Sequence, residues 1–94
     1  HPIKILGSKW KLEILYYIAR CDIPRFGALR RQISEITESS LTKQLRELEA
    51  DGFLIRHDFH EIPPRVEYTL SELGTSFMDV IDYMKAWGDR NLPD

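Results

Sequence analysis

The amino-acid sequence predicts a single α+β domain, residues 1–94, that is mostly helical. Apolar residues recur three and four positions apart in several stretches, which is the period of amphipathic helices. The period changes to two within residues 53–70, where a pair of strands is expected. A hydrophobic content of 43% suits a folded domain with a modest core.

The bulk composition limits where the protein works and what it binds. No apolar run approaches the roughly 18 residues of a membrane span, so we expect no membrane partner. A single cysteine, Cys21, excludes an internal disulfide and fits a reducing cytoplasm. The net charge is −2, yet residues 25–46 carry five basic and two acidic side chains. Such a basic segment would bind a polyanion with moderate and salt-dependent affinity.

The first predicted helix covers residues 8–20, and Ser8 can cap its amino terminus. Its apolar stripe recurs every four residues and consists of Trp10, Ile14 and Ile18. Pro24 disfavours helix at the residue before it, so the helix ends upstream of this proline. Residues 25–26 are then predicted to form a brief extended bridge.

Two short helices follow with a tight turn between them. The first covers residues 27–33, the turn covers residues 34–36, and the second helix covers residues 38–51. Two short helices joined by a turn of three or four residues form a helix-turn-helix, here over residues 27–51.

The second of these helices has one apolar face and one polar face. Thr37 is a suitable N-cap, and Gly52 supplies the left-handed residue that commonly ends a helix. The apolar stripe consists of Leu41, Leu45 and Leu48. The opposite and flanking positions carry Ser39, Ser40, Thr42, Lys43, Gln44 and Arg46. A face of this kind can donate to bases and phosphates in the major groove of DNA, although a solvated helix face has the same composition.

Residues 53–70 are predicted to form a β-hairpin, and two prolines mark its turn. A hairpin directly after the second helix makes the fold a winged helix-turn-helix with a two-stranded wing. Arg65 stands at the base of the wing. It either reaches a phosphate or the minor groove, or pairs on the surface with Glu61 or Glu67.

The last predicted helix covers residues 72–88 and is capped by Ser71. Its apolar residues occupy more than one face and include Leu73, Phe77, Ile81, Met84 and Trp87. No later element covers this surface, so the simplest partner is a second copy of the chain. The alternative is that the first helix covers it completely.

Four stretches of this sequence, in order, closely resemble the HxlR-type family of bacterial winged-helix regulators. They are residues 7–10 together with Ile14 and Leu15, then residues 25–33, 41–52 and 63–74. The most specific are the Leu-Arg-Glu-Leu-Glu-x-Asp-Gly run at 45–52 and the Pro-Pro-Arg-Val-Glu-Tyr-x-Leu run at 63–70.

The resemblance implies a DNA-binding transcriptional regulator, a repressor or an activator, that works as a homodimer with a plan similar to MarR-type proteins. Helix 38–51 would enter the major groove of a pseudo-palindromic operator in double-stranded DNA. The wing, residues 58–66, would approach the adjacent backbone or minor groove. Further phosphate candidates are Lys9, Lys11 and Arg30. The N-terminal and last helices would form the dimer interface, with Leu6, Trp10, Phe77, Ile81, Met84 and Trp87 as candidate residues.

Two alternatives stay open. A thiol- or ligand-responsive sensor of the same fold could use Cys21, or a small-molecule effector bound in a cleft between subunits. Many family members carry a cysteine just before the first helix, but this chain has His1 and Pro2 near that position. Cys21 lies at the other end of the helix and cannot inherit that role. The second alternative is a winged helix used only for protein contacts, which the net acidity allows.

An enzyme is not expected. The sequence offers no nucleophile–base pair and no glycine-rich phosphate loop. His57 and His60 are three residues apart on a strand or its turn, and no further ligands complete a metal site. We therefore expect neither a metal nor a cofactor.

Overall fold

The computed structural model describes residues 9–33 and 35–93, and these form four helices and one two-stranded antiparallel sheet. The helices are α1 (Lys9–Arg20), α2 (Phe26–Gln32), α3 (Glu38–Ala50) and α4 (Glu72–Asn91). The strands are β1 (Leu54–Asp58) and β2 (Val66–Leu70). This order of elements is that of a winged helix-turn-helix, so the predicted fold class is confirmed.

The core lies where α1, α2 and α3 meet the base of the hairpin. The three leucines predicted to face inward from α3 are buried, and so are their counterparts on α1 and α2: Ile14, Leu15, Ile18, Leu29, Ile33, Leu41, Leu45 and Leu48. Burial of a side chain of this size stabilises a fold by about 1.5–3 kcal/mol. Because the leucine stripe of α3 is held inward, its polar face turns to the outside.

The ends of α3 form as the sequence predicts. The Thr37 hydroxyl accepts a hydrogen bond of 3.1 Å from the Ser40 amide, which satisfies one of the free donors of the first turn. Glu38 adds a negative charge where the helix dipole favours one. Gly52 has a φ of 87°, in the left-handed region that a glycine adopts without strain.

The hairpin is joined to the connection between α1 and α2. Strands β1 and β2 pair from Leu54 with Leu70 to Asp58 with Val66. Arg25 forms an isolated β-bridge with Glu67, and the Tyr68 amide donates to the Pro24 carbonyl over 2.9 Å. The predicted extended bridge is therefore present at Arg25. Phe26 already belongs to α2, which begins and ends one residue earlier than predicted.

The buried face of helix α4 coincides only in part with the apolar stripe that the sequence predicts. A Cβ atom on Gly74 would lie 2.3 Å from the Phe53 carbonyl oxygen, so only glycine allows this close approach. The approach turns Gly74, Met78 and Ile81 inward, while Leu73 is 52% exposed. Leu73, which the sequence groups with Phe77 and Ile81 on one apolar stripe, therefore lies away from the core. The helix also continues past Gly88, to Asn91.

Three predicted features lie outside the described residues. These are the Ser8 cap, the interface residue Leu6 and the first turn residue, Ser34. Among the residues that are described, no helix is both long enough and apolar enough to cross a membrane.

Candidate nucleic-acid interface

The outer face of α3 presents the six polar residues that the sequence singles out. Ser39, Lys43 and Arg46 are exposed, and Ser40, Thr42 and Gln44 are half-buried beside them. They lie opposite or next to the buried leucines, which fixes their direction. The structure therefore brings this predicted group together on one surface.

Two hydroxyl groups on and beside this face are already engaged by the helix. The Thr42 hydroxyl donates to the Glu38 carbonyl over 2.9 Å, and Thr37 accepts at the cap. Thr42 can consequently offer a ligand its hydroxyl oxygen as an acceptor and its methyl group as an apolar contact. The donors best placed for an anionic or acceptor-rich ligand are Ser39, Lys43 and Arg46.

The cations of this surface differ from the others in how they are paired. Most basic side chains of the protein form an ion pair with an acidic side chain. Within the residues that the structure describes, those without such an ion pair are Arg31, Lys43, Arg46 and Arg90. Three of these four belong to the helix-turn-helix.

The three further phosphate candidates are placed differently from one another. Lys9 is well exposed, with its ammonium 3.9 Å from Glu13. Arg30 is half exposed, with a guanidinium nitrogen 3.8 Å from Glu38. Both weak pairs leave the cation accessible to another anion.

Lys11 does not present its charge on this outer surface. Its side chain is only 12% exposed, and its ammonium lies 2.7 Å from Glu47 of α3. The pair ties α1 to α3 and so helps to set the angle of α3. Sequence spacing could not show this, because Glu47 is distant along the chain. The placement argues against the predicted phosphate contact.

At the wing, the structure favours the ion-pair interpretation of Arg65. Its Nε lies 3.4 Å from Glu61, and one terminal nitrogen lies 3.9 Å from Glu67. The guanidinium stacks on the Phe59 ring at 3.7 Å from its centroid. About a third of the side chain is exposed, so Arg65 is fixed within the wing and retains a small accessible edge.

The predicted dimer residues separate into two groups. Ile81 is 7% exposed, and Trp10 and Phe77 pack partly against the core of their own chain. Met84 and Trp87 instead belong to an exposed stripe along α4, whose members are 37–66% exposed: Leu73, Val80, Tyr83, Met84 and Trp87. Leu73, Val80 and Tyr83 are absent from the predicted interface. The spacing of seven residues from Leu73 to Val80 to Trp87 is the signal that finds the stripe.

A surface ion pair holds α4 against the end of α1. The Arg20 Nε donates to Asp82 Oδ1 over 3.3 Å, and a second guanidinium nitrogen donates to Oδ2. The hydrogen bond from Arg20 holds the pKa of the Asp82 carboxyl below its ordinary value, and the carboxylate raises the pKa of Arg20 in turn.

Residues 5–94 match the profile of the HxlR-like helix-turn-helix family. The chain belongs to this family. It is 44% identical over 89 residues to the HTH-type transcriptional regulator YybR of Bacillus subtilis, a match that covers 95% of this chain and 70% of YybR. It is 36% identical to the regulatory protein MalR of Fusobacterium mortiferum, a match that covers 97% of this chain and 86% of MalR.

A solved structure shows the same architecture. The redox regulator HypR in its oxidized form superposes with a TM-score of 0.87 at 40% identity, covering 99% of this chain and 95% of HypR. The family, the winged-helix fold and the function class predicted from the sequence, a DNA-binding transcriptional regulator, are therefore confirmed. Cys21, the candidate thiol, is exposed directly after α1, and its part in sensing stays a prediction.

Proposed function

We propose that this HxlR-like protein binds double-stranded DNA as a homodimer, with α3 in the major groove of each half of a pseudo-palindromic operator. The observation that carries the proposal is the pair Lys43 and Arg46, exposed on the outer face of α3 without an ion-pair partner among the described residues. An exposed cation that no protein carboxylate neutralises is free to bind a phosphate or the acceptor edge of a guanine.

The exposed stripe of α4 supports the dimer. It places apolar side chains three and four residues apart along a helix of 20 residues, as in helices that pair with a second helix. A two-fold axis through such a stripe generates two copies of α3. In the proposed complex these copies lie about one DNA turn apart, roughly 34–36 Å.

The experiment that tests this proposal uses the double variant Lys43→Ala/Arg46→Ala. Footprinting on the DNA that flanks the native gene supplies an operator duplex, and gel shifts measure the affinity. We expect the variant to lose roughly 100-fold or more in operator affinity, because each lost base or phosphate contact costs about 1–3 kcal/mol. The variant should stay dimeric, since both side chains lie outside the core.

Arg90→Ala is the matched control for lost positive charge. Arg90 is also exposed and without an ion pair to another described residue, but it belongs to α4 rather than to the helix-turn-helix. It should bind the operator within about twofold of the parent protein, because distant surface charges are screened by salt. Unchanged operator binding by the Lys43→Ala/Arg46→Ala variant would refute the assignment of α3.

We further propose that the protein acts by binding alone, without catalysis or a cofactor, and in the cytoplasm where the DNA of a bacterial cell lies. The polar residues of the site support this proposal because they are donors and cations spread along the exposed face of one helix. Enzyme sites are instead concave pockets in which polar groups converge.

A further inference from the structure

Three surface grooves of this protein adjoin one another. The first lies between the start of α2 and the wing, has a volume of about 390 Å³, and is lined by Arg25, Arg31 and Arg65 among others. The second follows α2 to the start of α3 and has a volume of about 510 Å³. The third groove follows the outer face of α3. The second groove shares Arg31 with the first groove and Glu38 with the third. Together they form one track from the wing to the DNA-binding face.

The lining of the track has an excess of cationic side chains even though the whole chain is acidic. Its lining includes six cationic side chains and only two acidic ones, Glu38 and Glu47. The cations are Arg25, Arg30, Arg31, Lys43, Arg46 and Arg65. Such a linear cationic surface is complementary to the backbone of a nucleic acid, which carries a charge at each phosphate.

Arg31 is the accessible cation at the wing end of this track. It is exposed and forms no ion pair with another described residue. One terminal nitrogen of its guanidinium lies 3.7 Å from the place where a Cβ atom on Gly27 would be. The guanidinium therefore lies beside the first turn of α2, within the groove.

Glu67 holds the other two arginines of this groove. Its carboxylate accepts from the Nε of Arg25 over 3.3 Å and also lies 3.9 Å from Arg65. The pairing fixes α2 and the wing on the two sides of the groove. It also neutralises part of the charge on Arg25 and Arg65, which leaves Arg31 as the side chain best able to bind a phosphate.

We propose that the groove between α2 and the wing is a second DNA site, in which Arg31 binds a backbone phosphate beyond the bases contacted by α3. This site rests on the proposed function, since it extends the same DNA-binding face. A phosphate contact carries no sequence information, so it adds affinity equally on operator and on mixed-sequence DNA.

Salt titration of Arg31→Gln and Arg31→Lys tests the site. The dissociation constants of the dimeric protein are measured on the operator duplex and on mixed-sequence duplex over a range of salt concentrations. Loss of one phosphate contact in each protomer should make the plot of log K against log [salt] shallower by about 1.8 for Arg31→Gln. Arg31→Lys keeps the charge and should retain the parent slope.

Arg90→Gln removes the same charge outside the three grooves and serves as the control. A slope for Arg31→Gln equal to that of Arg90→Gln would overturn the site. A changed ratio of operator to mixed-sequence affinity would also overturn it, because Arg31 would then contact a base. If Lys43→Ala/Arg46→Ala loses operator binding while Arg31→Gln keeps the parent slope, only this second site fails and the proposed function stands.

Discussion

At the scale of single residues, glycine at position 74 decides how the C-terminal helix meets the wing. Its amide donates to the Ser71 hydroxyl at the start of α4, and the Ser71 amide donates to the Phe53 carbonyl. The Phe53 oxygen is the atom that a Cβ on Gly74 would reach at 2.3 Å. The atom that the added Cβ would meet belongs to the backbone, so no flexible side chain could move away to make room for it.

We therefore expect Gly74→Ala to lower the free energy of unfolding by about 1–3 kcal/mol, the usual cost of an overpacked core. The helix preference of alanine, up to about 1 kcal/mol, offsets only part of it. Gly88→Ala is the matched control, because its Cβ would meet only Leu92 at 3.8 Å, an ordinary contact. Urea unfolding at equal protein concentrations measures both variants. Equal stability of the two would show that the close approach of Gly74 has no energetic consequence.

At the scale of secondary-structure elements, the helix-turn-helix is predictable from sequence because its signals are local. Thr37, Gly52 and the leucine stripe of α3 lie within one stretch of 16 residues, 37–52, and each acts on its neighbours in the chain. The direction of the polar face follows from them. The amino-acid sequence alone therefore suffices to locate the candidate DNA-binding residues of α3.

The orientation of α4 and the pairing of Lys11 could not be predicted in this way. Gly74 contacts Phe53, and Lys11 pairs with Glu47, so both depend on residues that are distant in sequence. Periodicity alone groups Leu73 with Ile81 on one apolar stripe of α4, although only Ile81 is buried. It also left Lys11 as a surface cation.

The ion pair between α1 and α4 makes a testable contribution to the pH dependence of stability. Because Arg20 lowers the pKa of Asp82 in the folded state, the carboxylate stabilises the fold above the ordinary value of 3.8. This contribution is lost as the pH falls through the lowered folded-state pKa. We expect Asp82→Asn to be less stable than the parent at pH 7 and the difference to shrink towards about pH 3.

The Arg20→Gln variant distinguishes the Arg20–Asp82 pair from the effect of low pH on other groups, because it removes the hydrogen bond that lowers the pKa of Asp82. Unfolding free energies from pH 7 to about pH 3 for both single variants and the double variant form a double-mutant cycle. Additive effects of the two substitutions at pH 7 would contradict the pairing. The contribution of the ion pair to the free energy of unfolding should be small, because both side chains are 44% exposed and solvent screens the pair.

At the scale of the whole molecule, α4 has one buried face and one exposed apolar face. Gly74, Met78 and Ile81 join the core, and the exposed stripe through Leu73, Val80 and Trp87 lies about 120° around the helix. One face therefore fixes α4 to its own winged helix, and the other is available to a second chain. In the proposed dimer, a rigid connection of this kind would transmit the geometry of the subunit contact to the spacing of the two α3 helices.

Val80→Asp tests this arrangement, because Val80 is exposed in the single chain and its replacement leaves the core intact. A carboxylate buried against a second apolar stripe has no partner and costs several kcal/mol. We expect the dissociation constant of the dimer to rise by at least roughly 100-fold, as measured by sedimentation, with a parallel loss of operator binding. Ala86→Asp adds the same charge at an exposed position about 120° around the helix from Val80, and it should remain dimeric. If the dimer of Val80→Asp had the same dissociation constant as the dimer of Ala86→Asp, the contact between subunits would lie elsewhere on the molecule.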